Sequence, residues 1–332
     1  MRLLLLGGTE FVGRAVAEAA LAQGWDVTVF HRGRHAPGPG VRSLHGDRTA
    51  PDGLTALAEG GPWDLVVDTW SGAPRAVRDT ARLLRDRADR YVYVSSSSVY
   101  TWPQPAGYTE EAPVVEGAFA DAGQTDYARD KRGGELAVLD SFGADRSLLV
   151  RAGLILGPYE NIGRLPWWLG RVARGGQLLA PGPEELPLQY VDVRDLAEWV
   201  LAAAGAGRHG PYNVVSPQGH TTMSELLQAC VTVTGADAEL RWADPDVVLG
   251  AGIAPWTDLP IWVPPGSDLH TTLHGGDTSR AAAAGLRCRP VTETVADTWN
   301  WLCEIGGVAP QRPDRPVVGL DAETEAKVLA RL

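Results

Sequence analysis

The chain has 332 residues, of which 44% are hydrophobic and 21% charged, a globular composition long enough for one large domain or two modest ones. A formal net charge of -11 argues against a protein that grips nucleic-acid backbones through a basic face. The three scattered cysteines, Cys230, Cys288 and Cys303, offer neither a disulfide framework nor metal-site spacing and suit a reducing cytoplasm, and no apolar run approaches the ~20 residues of a membrane helix.

The first element is RLLLLGG, an apolar run ending in glycine, as a buried parallel strand does. The opening MRLLLL is too short for the apolar region of a signal peptide. In EFVGRAVAEAALAQG, residues Phe11, Val12, Ala15, Val16, Ala19 and Ala20 recur at helical spacing, and Gly24 stands as a C-cap. WDVTVFHR, VRSLHGD, PWDLVVDTW and DRYVYVSSSSVY read as the second to fifth strands, with the basic amphipathic helix APRAVRDTARLLRDRA between the last two. A helix carrying YARDK follows, and RSLLVRAGLILGP reads as a sixth strand. Strands alternating with helices predict an α/β fold with a doubly wound parallel sheet.

After about Gly157 proline, glycine and tryptophan become frequent. A strand–helix unit returns at LQYVDVRDLAEWVLAAAGAG, followed by GPYNVVS, the helix TTMSELLQACVTVTG and a loop-rich stretch from Asp244 to Gly276. Two helices, DTSRAAAAG and VTETVADTWNWLC, precede a tail that ends in DAETEAKVLARL. The predicted organisation is a nucleotide-binding domain over 1–157, rejoined by 188–215. A smaller substrate lobe takes 158–187 and 216–303, and 304–332 form a tail with a short helix.

GGTEFVG, Gly7 to Gly13, joins the first strand to the first helix. Gly7 permits a tight turn, and Gly13 lets the helix approach the sheet, so that the helix N-terminus faces a pyrophosphate. Gly8, Thr9, Phe11 and Val12 complete this candidate loop; an ordinary glycine-rich turn is the alternative. Glu10 takes the place of the usual middle glycine and must point away from phosphates. The second strand ends in His31, Arg32 and Arg34 with no carboxylate. An NAD site places Asp or Glu there for the ribose 2′-hydroxyl, whereas a 2′-phosphate wants guanidinium donors, so the charge favours NADP (NADPH). Asp47, ending the third strand, can accept from an adenine amino group or serve as a turn residue. Thr69, near the end of the fourth strand, joins the candidate cofactor set.

The serine run in YVSSSSVY stands at the carboxyl end of a strand, where α/β proteins place their sites. Tyr127 and Lys131, four apart, share one helix face beside it. An ammonium near a tyrosine, with a positive nicotinamide ring, favours phenolate and suits the pair to proton transfer.

Taken with LLVRAGLILGP, QYVDVRDLA and DTSRAAAAGLRCRP, these motifs run in family order over nearly the whole chain, from residue 3 to about 303. The chain resembles an extended short-chain dehydrogenase/reductase of the NAD-dependent epimerase/dehydratase family. Its glycine loop and basic second-strand end look more like the atypical branch that includes chloroplast stem-loop RNA-binding proteins. The resemblance implies a Rossmann fold. It places the catalytic Ser/Thr on Ser96, with Ser97 as the alternative, and the YxxxK pair on Tyr127 and Lys131, which also hold the cofactor. Ala152 stands where many relatives have proline. A homodimer is the family's habit.

The function expected is an NADP(H)-dependent oxidoreductase acting on a small, partly apolar carbonyl or imine compound. Tyr127 would be the proton donor, Lys131 its modulator and Ser96 the carbonyl anchor. An epimerase or dehydratase that recycles its cofactor internally, on a nucleotide sugar for example, is the alternative. A non-catalytic RNA-binding relative is the third reading, against which the acidic charge and the intact Ser–Tyr–Lys set both weigh. Expected partners are a small-molecule substrate, with no nucleic acid and no membrane. Trp102, Trp167, Trp256 and Ser97 are candidates for lining the pocket. Trp199, Trp299 and Trp301 are expected in the core. Arg164 and Arg171 either meet an anionic substrate or end a solvated helix. His270 and His274 lack the company a metal site needs.

Overall fold

The computed structural model describes residues 1–332. In chain order its elements are β1 (Arg2–Leu6), α1 (Phe11–Ala22), β2 (Asp26–His31), β3 (Arg42–His45), α2 (Thr55–Glu59), β4 (Trp63–Asp68), α3 (Pro74–Leu84), β5 (Ala88–Ser96), α4 (Tyr127–Phe142), β6 (Ser147–Ala152) and β7 (Leu154–Leu156). There follow α5 (Arg164–Ala173), β8 (Gly176–Pro181), β9 (Pro187–Leu188), β10 (Tyr190–Asp192), α6 (Val193–Gly205), β11 (Gly210–Val214), β12 (Thr221–Thr222), α7 (Met223–Thr234) and β13 (Ala238–Ala243). The chain closes with α8 (Pro245–Gly250), α9 (Asp268–His274), α10 (Ser279–Ala283), α11 (Val291–Glu304) and α12 (Ala322–Leu329).

Seven parallel strands form the main sheet in the order β11-β6-β5-β4-β1-β2-β3. The four leucines of β1 are buried because both faces of a parallel sheet are covered. Leu3 and Leu5 enter one core with α1 and α6; Leu4 and Leu6 enter the opposite core with α3 and α4. The strand order reverses between β1 and β4, which opens a crevice at their carboxyl ends. This is the doubly wound Rossmann arrangement. Two glycines inside α4 have a packing reason. A Cβ on Gly134 would collide with the Tyr93 hydroxyl, and one on Gly133 with the Ala118 carbonyl, so only a bare backbone lets the helix rest on β5 and the loop beside it.

The run RSLLVRAGLILGP, which begins at Arg146, is two strands rather than one: β6 stays in the main sheet, while β7 leaves it to pair with β10. Gly153, at the break, has Val215 where a Cβ would go, 2.8 Å from its nearest carbon. A third core gathers α5, α7, α11 and the parallel pair β8–β13 around Trp168 and Trp262, both fully buried. The stretch from Asp244 to Gly276 contains α8 and α9, so it is less irregular than its composition predicts. Arg171 is not a solvated helix end and faces no substrate. It is buried against Glu325, donating from Nε at 2.7 Å, and Glu325 also accepts from the Leu179 amide. These bonds dock α12 onto α5 and β8. Trp199 is buried in the core with α1 and α6, and Trp299 and Trp301 pack on the third core.

Candidate active site

The glycine loop sits at the mouth of the crevice. Gly7 has φ +86°, and a Cβ on Gly13 would lie 1.9 Å from the Gly7 carbonyl oxygen, so α1 meets the loop through bare backbone. No side chain caps the N-terminus of α1, which leaves its first-turn N–H groups available to an anion. Glu10 is engaged by His35, 3.0 Å away, and by the Asn161 amide at 3.4 Å. Thr69 Oγ1 lies 3.1 Å from the Leu6 carbonyl and 3.0 Å from that of Gly7, so its hydroxyl braces the loop. The cradle therefore fits a dinucleotide pyrophosphate.

At the end of β2, Arg32 and Arg34 are exposed and carry no ion pair. His31 is buried, accepts from the Gly33 amide and stacks edgewise on His45 at 4.7 Å. Asp47 forms a turn with Thr49, accepting from its amide and hydroxyl at 2.9 and 2.7 Å. Those bonds, with Arg32 and Arg34 nearby, hold its carboxyl below the usual range.

Ser96 ends β5 and is buried. Its Oγ accepts from the Ser98 amide, capping the short turn 97–99 that packs against α4. Ser97 is half-buried on that turn. Ser95, not singled out from the sequence, has a buried hydroxyl with no partner.

Asp126 caps α4 by accepting from the Arg129 amide, which sets Tyr127 as the first helical residue. Tyr127 is 37% exposed, whereas Lys131, one turn on, is 3% exposed. The Lys131 ammonium donates to the carbonyls of Trp70 (2.6 Å) and Val94 (2.7 Å) and lies 6.0 Å from the centre of the Tyr127 ring. Burial pushes its pKa down to about 7; Asp68 opposes this, and Arg315 adds to it.

Beneath the lysine lies a network that local sequence did not reveal. Asp68 accepts both guanidinium arms of Arg48 at 2.7 Å, the Tyr91 hydroxyl at 2.6 Å and the Trp70 amide at 2.9 Å. Burial pushes the Asp68 carboxyl up, but Arg48 and these bonds outweigh it and hold the group ionised. The Trp70 carbonyl, which also accepts from Tyr93 Oη, is thus fixed from behind. The visible signal was an Asp closing a strand in VVDTW and an Arg following the third strand in GDR.

Residues 3–215 match the sequence model of the NAD dependent epimerase/dehydratase family. The chain belongs to this family. Chloroplast stem-loop binding protein of 41 kDa b from Arabidopsis thaliana is 24% identical over 254 residues, 70% of this chain and 63% of the relative. The 2'-dehydrokanamycin reductase of Streptomyces kanamyceticus is 34% identical over 162 residues, 47% of this chain and 43% of the relative. The chain thus spans less than two thirds of the length of either. The Bordetella bronchiseptica enzyme WbmH, solved in complex with NAD+, superposes with a TM-score of 0.64 at 18% identity, covering 92% of this chain and 99% of WbmH.

Within this family member, the pocket candidates separate. Trp102 is exposed on the loop after β5. Trp167 stacks edgewise on Trp168 at 4.7 Å and packs against Gly319. Trp256 is half-buried, with the Arg164 guanidinium 4.8 Å above its ring. The tail brings a residue that sequence reasoning missed: Arg315 lies 5.0 Å over the Tyr127 ring. His270 and His274 belong to no group of side chains able to hold a metal, and no helix is long and apolar enough to cross a membrane.

Proposed function

We propose that this protein is an NADP(H)-dependent oxidoreductase that acts on a small, partly apolar carbonyl or imine compound. The observation that carries the reading is Tyr127, presented at the helix end above the pinned ammonium of Lys131, beside the carboxyl end of β5. The bound dinucleotide would supply the hydride. Tyr127 would hold and deliver the proton at its phenol oxygen, and Ser96 would orient the substrate oxygen. Lys131, fixed by two carbonyls, would place one remaining donor and its charge toward the ring. The bare loop of Gly7, Gly8, Thr9, Phe11, Val12 and Gly13 would hold the pyrophosphate.

The preference for NADP(H) rests on Arg32 and Arg34, which are exposed, unpaired and without a carboxylate between them at the end of β2. A relative named as a reductase supports the same direction of chemistry. The second reading, an epimerase or dehydratase that regenerates its own cofactor, draws support from the family and from WbmH, which holds NAD+. The nucleotide that copurifies separates the two. Weak, exchangeable NADPH supports the reductase, and tight, stoichiometric NAD supports the epimerase.

A further inference from the structure

Residues 305–321, between α11 and α12, form a strap that is bonded at Gly319 and rests on Gly163. The Gly319 amide donates to the Thr257 carbonyl at 2.8 Å, and within the strap the Val318 amide donates to Gln311 Oε1 at 3.3 Å. Beyond it, α12 is held by the buried pair Arg171–Glu325. At its near end the strap lies on Gly163, where a Cβ would collide with Gln311 and the Pro310 carbonyl. This path carries Arg315 over Tyr127 and the strap past Arg164, which follows Gly163 as the first residue of α5.

Both guanidinium groups lack acceptors. The Nε of Arg164 and the Nε of Arg315 are each shut off from solvent with no hydrogen-bond partner. Neither arginine forms an ion pair. The nearby carboxylates are already committed: Glu160 accepts the amides of Arg164 and Leu165 at 2.8 and 3.1 Å, and Asp314 pairs with Arg312. Burial, eased by Glu160 and Tyr127 and reinforced by the charge of Arg315, weakens the hold of Arg164 on its proton. Two like charges with unmet buried donors call for a shared acceptor, because an unsatisfied buried donor forfeits its hydration without return. Planar forks are suited to the two oxygens of a carboxylate or phosphate.

We propose that Arg164 and Arg315 form an oxyanion-binding subsite beside Tyr127, so that the substrate is a carbonyl compound, or its alcohol, bearing a carboxylate or phosphate close to the reacting carbon. The substrate assignment rests on Tyr127 being the proton donor; the subsite itself does not. Trp256, under Arg164, supplies the apolar wall next to it.

The test needs no turnover. The full chain is titrated at low ionic strength with inorganic phosphate and, separately, with propionate, with and without NADPH, following heat by calorimetry and tryptophan fluorescence. Saturable binding of one probe to the wild type is expected, tighter phosphate pointing to a phosphate ester and tighter propionate to an acid. Arg315→Ala and Arg164→Gln should each weaken that binding by roughly tenfold or more, the scale of a lost charged hydrogen bond. Arg315→Lys should recover part of it, with melting temperature and NADPH affinity unchanged throughout. Absence of saturable binding, or unchanged affinity in both variants, overturns the proposal. So does a parallel loss of NADPH affinity in Arg315→Ala, because that assigns the arginine to the dinucleotide. If NADPH fails to bind any form, the cofactor reading falls, while the titrations without it still decide the subsite.

Discussion

Lys131 donates its ammonium to the backbone carbonyl of Trp70 at 2.6 Å, not to the tyrosine one helical turn before it. The lysine is therefore placed by the strand ends beneath it. Trp70 in turn is held by Asp68, whose charge Arg48 balances through two bonds at 2.7 Å. The first prediction concerns this support. Arg48→Met leaves Asp68 buried and unpaired and should cost about 3–5 kcal/mol of stability. Urea unfolding checks it; a loss below about 1 kcal/mol would show that the carboxylate finds water or another partner.

A pH dependence follows from the burial of Lys131. Its pKa falls from an ordinary 10.5 to about 7 in the folded protein. Between these values the unfolded chain binds more protons at this site than the folded one. Its contribution therefore makes stability rise with pH across that window, by at most about 1.4 kcal/mol per pH unit. The difference in unfolding free energy between wild type and Lys131→Met should show this slope; a flat difference would place the lysine in water. Activity should move the other way, because the ammonium that supports Tyr127 is lost as pH rises through about 7.

How much of this was legible in the sequence depended on distance along the chain. The strand, turn and helix around Gly7–Gly13 are local signals, and the β1 run, the bare turn and the α1 periodicity agree with one another. Arg171 was misread because RVARGG looks solvated on its own, and its partner Glu325 lies 154 residues away. The split at Gly153 needed β10, a later strand, to be seen. Arg315 sits in a stretch with no periodicity, so its position over Tyr127 comes only from the anchored path of the strap. The role of Asp68 is invisible locally because its partner Arg48 belongs to the loop after β3.

Cofactor choice gives a third prediction. NADPH should bind more tightly than NADH, and Arg32→Ala should erase most of that preference, because Arg32 and Arg34 face no competing ion pair. Each charged contact to a 2′-phosphate is worth roughly 1.5–3 kcal/mol. Fluorescence titration of both nucleotides measures it. Equal affinities in the wild type would return the protein to the NAD-holding reading.

Gly13→Ala tests the cradle. The added Cβ would stand 1.9 Å from the Gly7 carbonyl oxygen, a backbone atom that cannot swing aside. The loop must open or α1 must retreat, so nucleotide affinity should fall sharply in calorimetry while circular dichroism remains that of a folded protein. Unchanged affinity in a folded variant would mean that the pyrophosphate lies elsewhere.

The last prediction addresses the proton. Tyr127→Phe removes one hydroxyl and keeps the ring that Arg315 overlies and Lys131 approaches, so the fold and nucleotide affinity should persist. Turnover of any carbonyl substrate the wild type accepts should drop by roughly two to four orders of magnitude, the usual worth of positioned acid–base catalysis. Lys131→Met should lose comparable activity and also weaken nucleotide binding, since that side chain supplies both charge and a donor. Ser96→Ala should cost less, because Ser97 stands on the adjoining turn. The order of the three effects matters more than any one of them. If Tyr127→Phe retains half the wild-type rate while Ser96→Ala abolishes it, the proton travels through the serine turn. The exposed phenol at the head of α4 would then be a binding surface beneath Arg315, not the acid.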